Sequence, residues 1–490
     1  MQAMNPYLPL DTYIPDGEPH VFGDRLYVYG SHDREGGDTY CMDPYEVFSA
    51  PIHDLGNWKS QGISYRITQD PHASESRQQM YAPDVVQGND GRYYMYYCLS
   101  GAQGKGGYDG PISVAVADEP GGPFTYYGDV KNTDGSLFDK YALFDPAVIN
   151  DQGVIRLYYG ALIPFEEHIN FLNRGMIYRI MAKTYGKTYE EVKKEKGAIA
   201  GAITVTLADD MLTVISQPKR ILPGIAKGTS MEGHGFFEAS SIRKIGDTYY
   251  FIYSSQVNHE LCYATSKYPD RDFVYRGVII SNGDIGLDGR KPEERLNHTG
   301  NNHGSLVEVD GEYYIFYHRM THGNDYSRQG CAEKVKILAD GTIPQVEMTS
   351  QGLNGKPLLA EENYPAGIYC NLTNGHMPHA CNRKEVAQIP RLTHQDGEQF
   401  LTDLQNDVWV GYKYFACKDN RQITLTYRSE QEASLEVALS YQGKAVGQQM
   451  LPAAKLWQSI SISVDISDGV HALYFHFQGQ GKVELLDFTW

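Results

Sequence analysis

The segment Gly233-His234-Gly235-Phe236-Phe237-Glu238-Ala239-Ser240-Ser241-Ile242-Arg243-Lys244 runs through Ile245-Gly246-Asp247 into Thr248-Tyr249-Tyr250-Phe251-Ile252-Tyr253-Ser254. A carboxylate follows an apolar pair, an alternating strand leads into a Gly-Asp turn, and a tyrosine-rich strand returns. The layout recurs behind Asp16, Asp84, Asp145 and His303, each followed by a short apolar run, a turn containing Gly and Asp, and a strand such as Tyr93-Tyr94-Met95-Tyr96-Tyr97. Five units result, with anchors 68, 61, 93 and 65 residues apart. Hairpin units of this size cannot each bury an apolar face alone, so a loosely held repeat of them predicts a five-bladed β-propeller. A propeller gathers the heads of its innermost strands around one axial funnel. Four carboxylates and a histidine, far apart in sequence, are therefore expected to converge on one pocket.

Composition narrows what that pocket can bind. A formal charge of −18 argues against nucleic acid and against anionic membranes, which both select basic surfaces, and is compatible with a neutral sugar. Most of the 38 tyrosines lie in strand-like runs, where propensity and packing account for them; only those near the anchors are candidates for stacking on sugar. Seven cysteines without a CxxC spacing read as free thiols rather than a disulfide framework or a zinc site. The N-terminal residues carry no basic-then-apolar leader and no run of about 18 apolar residues follows, so the expectation is a cytoplasmic protein that does not engage a membrane. Nothing in the sequence sets an oligomeric state.

Residues 1–340 form the expected propeller, interrupted at about 164–200 by a helical insertion read from residues 165–172 and 188–196. Residues 341–384, with Gly352, Gly355, Pro357, Pro365 and Gly367, read as a connection wrapped over the surface. Regular alternation resumes over 385–490, where several strands of five to seven residues predict a β-sandwich.

Cleaving a glycosidic bond takes one carboxylic acid to protonate the leaving oxygen and one carboxylate to activate water or attack carbon. A third carboxylate nearby raises the acid's pKa by like-charge repulsion. Asp16, Asp145 and Glu238 are candidates to supply all three. A lone Asp in such a strand-turn context is ordinarily a turn residue, so the shared position in the repeat carries the argument. Glu18 is the rival to Asp16, and Asp84, after Ala82-Pro83, reads as structural, holding backbone amides in a turn.

The ordered set Pro15-Asp16-Gly17-Glu18-Pro19-His20, Tyr81-Ala82-Pro83-Asp84, Phe144-Asp145-Pro146-Ala147, Phe236-Phe237-Glu238-Ala239-Ser240, His303-Gly304-Ser305 and Tyr317-His318-Arg319 resembles glycoside hydrolase family 43 over about residues 5–340. The resemblance implies an inverting hydrolase that removes terminal xylose or L-arabinofuranose from xylan- or arabinan-derived oligosaccharides. It implies Asp16 as general base, Asp145 as the carboxylate that tunes and orients the acid, and Glu238 as general acid. It also implies Arg319, Tyr81, Phe236 and Phe237 beside the sugar, and His303 facing the axis, where it could hold water or calcium. No cofactor is required by that chemistry. Two motifs depart from the family: Tyr81 stands where tryptophan is usual, and Gly17 follows Asp16 in place of proline. The C-terminal sandwich resembles a family 6 carbohydrate-binding module, although Trp409, Trp457 and Trp490 read as core as readily as sugar platforms. A propeller acting on galactosides or fructans, and a propeller that binds sugar without cleaving it, are the alternatives.

Overall fold

The computed structural model describes residues 2–161, 171–184, 188–194, 201–224, 226–381 and 389–490. It is a five-bladed β-propeller followed by a β-sandwich. Each blade is an antiparallel meander laid down in chain order. The first runs from Glu18–Phe22 to Lys59–Tyr65, the second from Gln79–Gln87 to Thr125–Asp129, the third from Ala147–Asp151 to Lys219–Pro223 and the fourth from Phe236–Ile245 to Val274–Ile280. The fifth has three strands, Leu306–Val309, Glu312–Met320 and Arg328–Val335. A parallel bridge between Gly17 and Gly304 joins the fifth blade to the first.

One buried cluster fills each gap between blades. Tyr27, Tyr29, Met95 and Tyr97 pack between the first and second, Tyr96, Val114, Leu157 and Val205 between the second and third, and Tyr158, Leu222, Phe236 and Phe251 between the third and fourth. Ile252, Tyr263, Ile315 and Tyr317 fill the next gap, and Leu26, Val28, Tyr314 and Phe316 the last. The preference for tyrosine follows from this arrangement: the ring fills the interface while the hydroxyl reaches a carbonyl beyond it. Tyr96 donates to Met211 O at 2.6 Å, Tyr158 to Pro269 O at 2.8 Å and Tyr29 to Pro120 O at 2.7 Å.

In the insertion, helices span Arg174–Thr184 and Tyr189–Lys194, while the helix expected over 165–172 falls almost wholly outside the described residues. Ile177, Tyr178, Ala182 and Val192 share one buried cluster with Tyr81, Ala142 and Phe144, so the helices back the propeller next to the funnel. The seven cysteines are buried and unpaired.

Beyond the propeller, two sheets bury Leu401, Leu425, Tyr427, Phe475, Phe477 and Phe488 between them. The tryptophans there have neighbours against their rings: His476 stacks on Trp409 at 4.0 Å, the Arg428 guanidinium lies 4.4 Å from Trp457 and Phe415 packs 4.9 Å from Trp490. Polar contacts dock the sandwich on the rest of the chain. Lys413 reaches Asp284 of the propeller at 3.3 Å and Glu347 of the connection at 2.9 Å, and His394 meets Glu35 of the propeller at 2.9 Å.

Candidate active site

The funnel mouth is built by an unusual backbone. Asp16 (φ 58°), Ala82 (φ 37°), Asp145 (φ 45°) and Ala239 (φ 64°) are all left-handed, one in each of the first four blades. Such residues cost on the order of 1–3 kcal/mol each and persist only where surrounding structure over-determines them. In the fifth blade the tight spot falls at Gly304, where a Cβ would lie 1.9 Å from the Phe316 carbonyl oxygen. Asp16 and Asp145 occupy these turns themselves, and Glu238 precedes one, beside a bulge that shifts its strand's register.

The three carboxylates line one cavity of about 300 Å³ together with Tyr81, Phe237, His303 and Arg328. Six of the eight residues expected at the site are thus brought together. Phe236 is not among them. It is fully buried between the third and fourth blades against Phe251 and Tyr253, and the bulge that shifts the register between Phe236 and Glu238 leaves Phe237 and Glu238 to face the pocket.

Arg319 is not among them either, and register gives the reason. On the hairpin of the fifth blade His318 pairs with Gly330, Arg319 with Gln329 and Met320 with Arg328. His318 and Arg328 therefore share the face toward the first blade and Asp16, and Arg319 and Gln329 share the other. Arg319 bonds Gln329 Oε1 at 2.8 and 3.1 Å, donates to the carbonyls of Gly367 and Tyr369 and lies over the Tyr369 ring, so it anchors the connection to the sandwich. The arginine in the pocket is Arg328. Alternation from His318, carried across the hairpin, was the signal that could have found it.

Arg328 is 2% exposed and holds two carboxylates at once. Its Nε and Nη2 fork Asp33 at 2.8 and 2.9 Å, and its Nη1 reaches both Asp16 oxygens at 3.0 and 3.2 Å. His318 supports Asp16 from the backbone side: its Nδ1 accepts the Asp16 amide at 3.3 Å while its Nε2–H donates to Asn301 O at 2.9 Å. That pattern requires a neutral ring, consistent with burial pulling its pKa down to about 3. Burial opposes charge on Asp16, but Arg328, helped by the charged His303, outweighs it and holds the carboxyl below the usual carboxylate range.

The other two carboxylates sit differently. Burial, reinforced by the negative charge of Asp16 and only partly offset by His303, pushes Asp145 up to about 6. Burial and the charges of Asp145 and Asp16 raise Glu238 well above the ordinary glutamate value. Asp145 Oδ2 accepts the Ala239 amide at 2.9 Å and so fixes the backbone next to Glu238.

Below the pocket Glu18 points away from it, paired with Arg243 at 2.7 Å. Asp84 accepts the amides of Val85 at 2.8 Å and Val148 at 2.7 Å and meets His20 at 2.7 Å, tying the second blade to the third. His303 lies between Glu18 at 3.6 Å and Asp145 at 3.8 Å. Burial works against its charge, but Glu18, Asp145 and Asp16 prevail and lift it to about 9. His303 Nε2 and Glu18 Oε1, 3.6 Å apart, are both buried and face each other directly. Calcium takes about six to eight oxygen ligands; one spare carboxylate oxygen beside a charged imidazole is not such a donor set.

The family model described as "Glycosyl hydrolases family 43" matches residues 5–196 and 164–343. The chain is 43% identical to a xylosidase/arabinosidase of Thermoclostridium stercorarium, covering 100% of this chain and 98% of that relative. It is 31% identical to a xylosidase/arabinosidase of Humicola insolens over 68% of this chain and 98% of that one. Among solved structures it resembles a β-xylosidase/α-arabinofuranosidase from a compost microbial metagenome, crystallised with xylotriose in a calcium-free form. That match has a TM-score of 0.51 and 28% identity, and covers 69% of this chain and 96% of the other.

Proposed function

The chain belongs to glycosyl hydrolase family 43, and from that premise we propose how this glycosidase works: it removes terminal xylose or L-arabinofuranose from xylan- or arabinan-derived oligosaccharides, with inversion. The observation that carries the reading is the opposite surroundings of two carboxyls in one cavity. Arg328 holds Asp16 below the usual carboxylate range, and burial and the charge of Asp145 raise Glu238 well above the ordinary glutamate value. Pairs of carboxyls driven apart in this way mark the base and the acid.

In the reaction Asp16 takes a proton from water as the water oxygen bonds the anomeric carbon, and Glu238 gives its proton to the glycosidic oxygen as the old C–O bond breaks. One proton enters and one leaves the pair of carboxyls, and the product sugar carries the inverted configuration. Asp145 keeps Glu238 protonated by like charge and holds its strand through Ala239. The roles need no cofactor. A cavity of about 300 Å³ is at the small end for ligand sites, which supports one sugar at a time from a chain end. Tyr81 and Phe237 supply aromatic faces for that sugar.

The test is hydrolysis of 4-nitrophenyl β-D-xyloside and 4-nitrophenyl α-L-arabinofuranoside side by side, with wild type and Glu238→Gln, following the released anomer by NMR. Release by wild type of sugar with inverted configuration is expected, with a fall in the variant that is smaller on these aryl glycosides than on xylobiose. A folded wild type that releases neither sugar would overturn the pentosidase reading, and a retained anomer would overturn the assignment of Asp16 as a base.

A further inference from the structure

We propose that residues 378–381, part of the connection to the sandwich, form the leaving-group wall of the pocket, and that Ala380 sets how large a leaving group fits. The proposal rests on the glycosidase reading above. Ala380 lines the cavity of the catalytic carboxylates although it stands more than 40 residues beyond the last propeller strand. Among the described residues no strand of the sandwich lines the pocket; the strap in front of it does.

The strap is pinned to propeller loops at every residue. Thr299 donates its amide to Pro378 O at 3.1 Å and accepts the Ala380 amide at 2.7 Å, a parallel bridge centred on His379. The Thr299 hydroxyl meets His379 Nδ1 at 3.0 Å. The Cys381 amide donates to Asp325 Oδ2 at 2.8 Å, and the other oxygen of Asp325 meets His298 at 3.0 Å. Thr299 stands just ahead of Asn301, Asn302 and His303, so the strap is fastened to the loop that builds the pocket floor.

Its side faces the acid. The His379 ring stacks on His259 at 5.2 Å, and His259 meets the ring of Phe237 edge-on at 4.6 Å, one residue before Glu238. Burial keeps both imidazoles below their ordinary pKa, so the stack carries no like-charge repulsion at neutral pH. The acid must lie beside the oxygen that departs, which places the strap on the aglycone side. Ala380 is left-handed, at φ 57°, a conformation that costs energy for any residue but glycine and for which asparagine is the usual exception. The chain thus holds a strained turn to present no more than a methyl group to the pocket.

The test substitutes Ala380→Asn, which adds bulk while tolerating that backbone. The readout is the ratio of kcat/KM for β-D-xylosyl fluoride, which loses a single atom, to kcat/KM for xylobiose, which loses a whole sugar. The arabinofuranosyl pair replaces these if wild type prefers it. A crowded wall raises the ratio by about 10-fold or more, the scale of a small steric change in a pocket. A ratio that does not move, in a variant with wild-type melting temperature, overturns the proposal. Ala380→Gly keeps the test available if the Asn variant does not fold: removing the methyl should lower the ratio, and a rise would overturn the proposal. Wild type that cleaves neither substrate overturns the glycosidase reading and this inference with it.

Discussion

The first-blade wall and the fourth-blade wall of the pocket both carry a carboxyl group beside a left-handed turn at the head of an innermost strand, yet they hold it in opposite ways. Asp16 is gripped by the Arg328 guanidinium at 3.0 Å, inside a pair of carboxylates that share it. Glu238 makes no salt bridge among the described residues, and burial with the charge of Asp145 outweighs the positive His303 to raise its pKa. Equivalent places in a repeat therefore supply opposite chemistry. Position brings the carboxyls together; the neighbours from other blades decide which one carries the proton.

The largest effects come from removing either carboxyl. Asp16→Asn and Glu238→Gln should each lower kcat/KM on xylobiose by about 10²–10⁴-fold. On 4-nitrophenyl substrates, whose leaving group departs readily without a proton, the Glu238→Gln penalty should shrink and the Asp16→Asn penalty should not. Equal penalties on both kinds of substrate would break the comparison between the walls.

Next in size is Arg328→Gln. It leaves Asp33 and Asp16 buried without their cation, a loss of about 3–5 kcal/mol measurable by denaturant unfolding. The sign of its pH effect follows from the base. Wild-type activity falls as pH drops through the pKa of Asp16, which Arg328 holds below the usual range, so without Arg328 the acid limb must move to higher pH. An unmoved limb would dissociate Asp16 from that limb.

Asp145→Asn sharpens the fourth-blade side. Removing a negative charge beside Glu238 makes that acid easier to ionise, so the alkaline limb should move to lower pH while the acid limb stays on Asp16. The smallest effect on catalysis is expected from Arg319→Gln, which should leave KM unchanged. It should cost about 1–3 kcal/mol of stability by depriving the Gly367 and Tyr369 carbonyls of their donor. A raised KM without lost stability would return Arg319 to the pocket.

Much of this architecture was legible in the sequence. The recurring anchors, turns and tyrosine strands marked five blades because each hairpin carries its own local signature, and the carboxylates stood out by their place in it. The resemblance of ordered motifs then assigned Asp16, Asp145 and Glu238. Less legible were residues whose role depends on pairing. Phe236 and Phe237 are adjacent, and nothing local says which faces the pocket. Tyr317-His318-Arg319 matched a motif, but the hairpin register sends Arg319 outward and brings Arg328 in from the next strand.

What the sequence determined by itself was everything that hydrophobic alternation and turn chemistry encode over a few residues: the strands, their repetition, the anchors and the resumption of strands after the connection. Only the tertiary structure decided the arginine of the pocket, the protonation of its carboxyls and the presence of Ala380 at its rim. Each depends on groups separated by tens to hundreds of residues that meet only when the blades close around the axis. A charge acts through distance in space rather than along the chain, and a pKa or a pocket wall exists only once those distances are set.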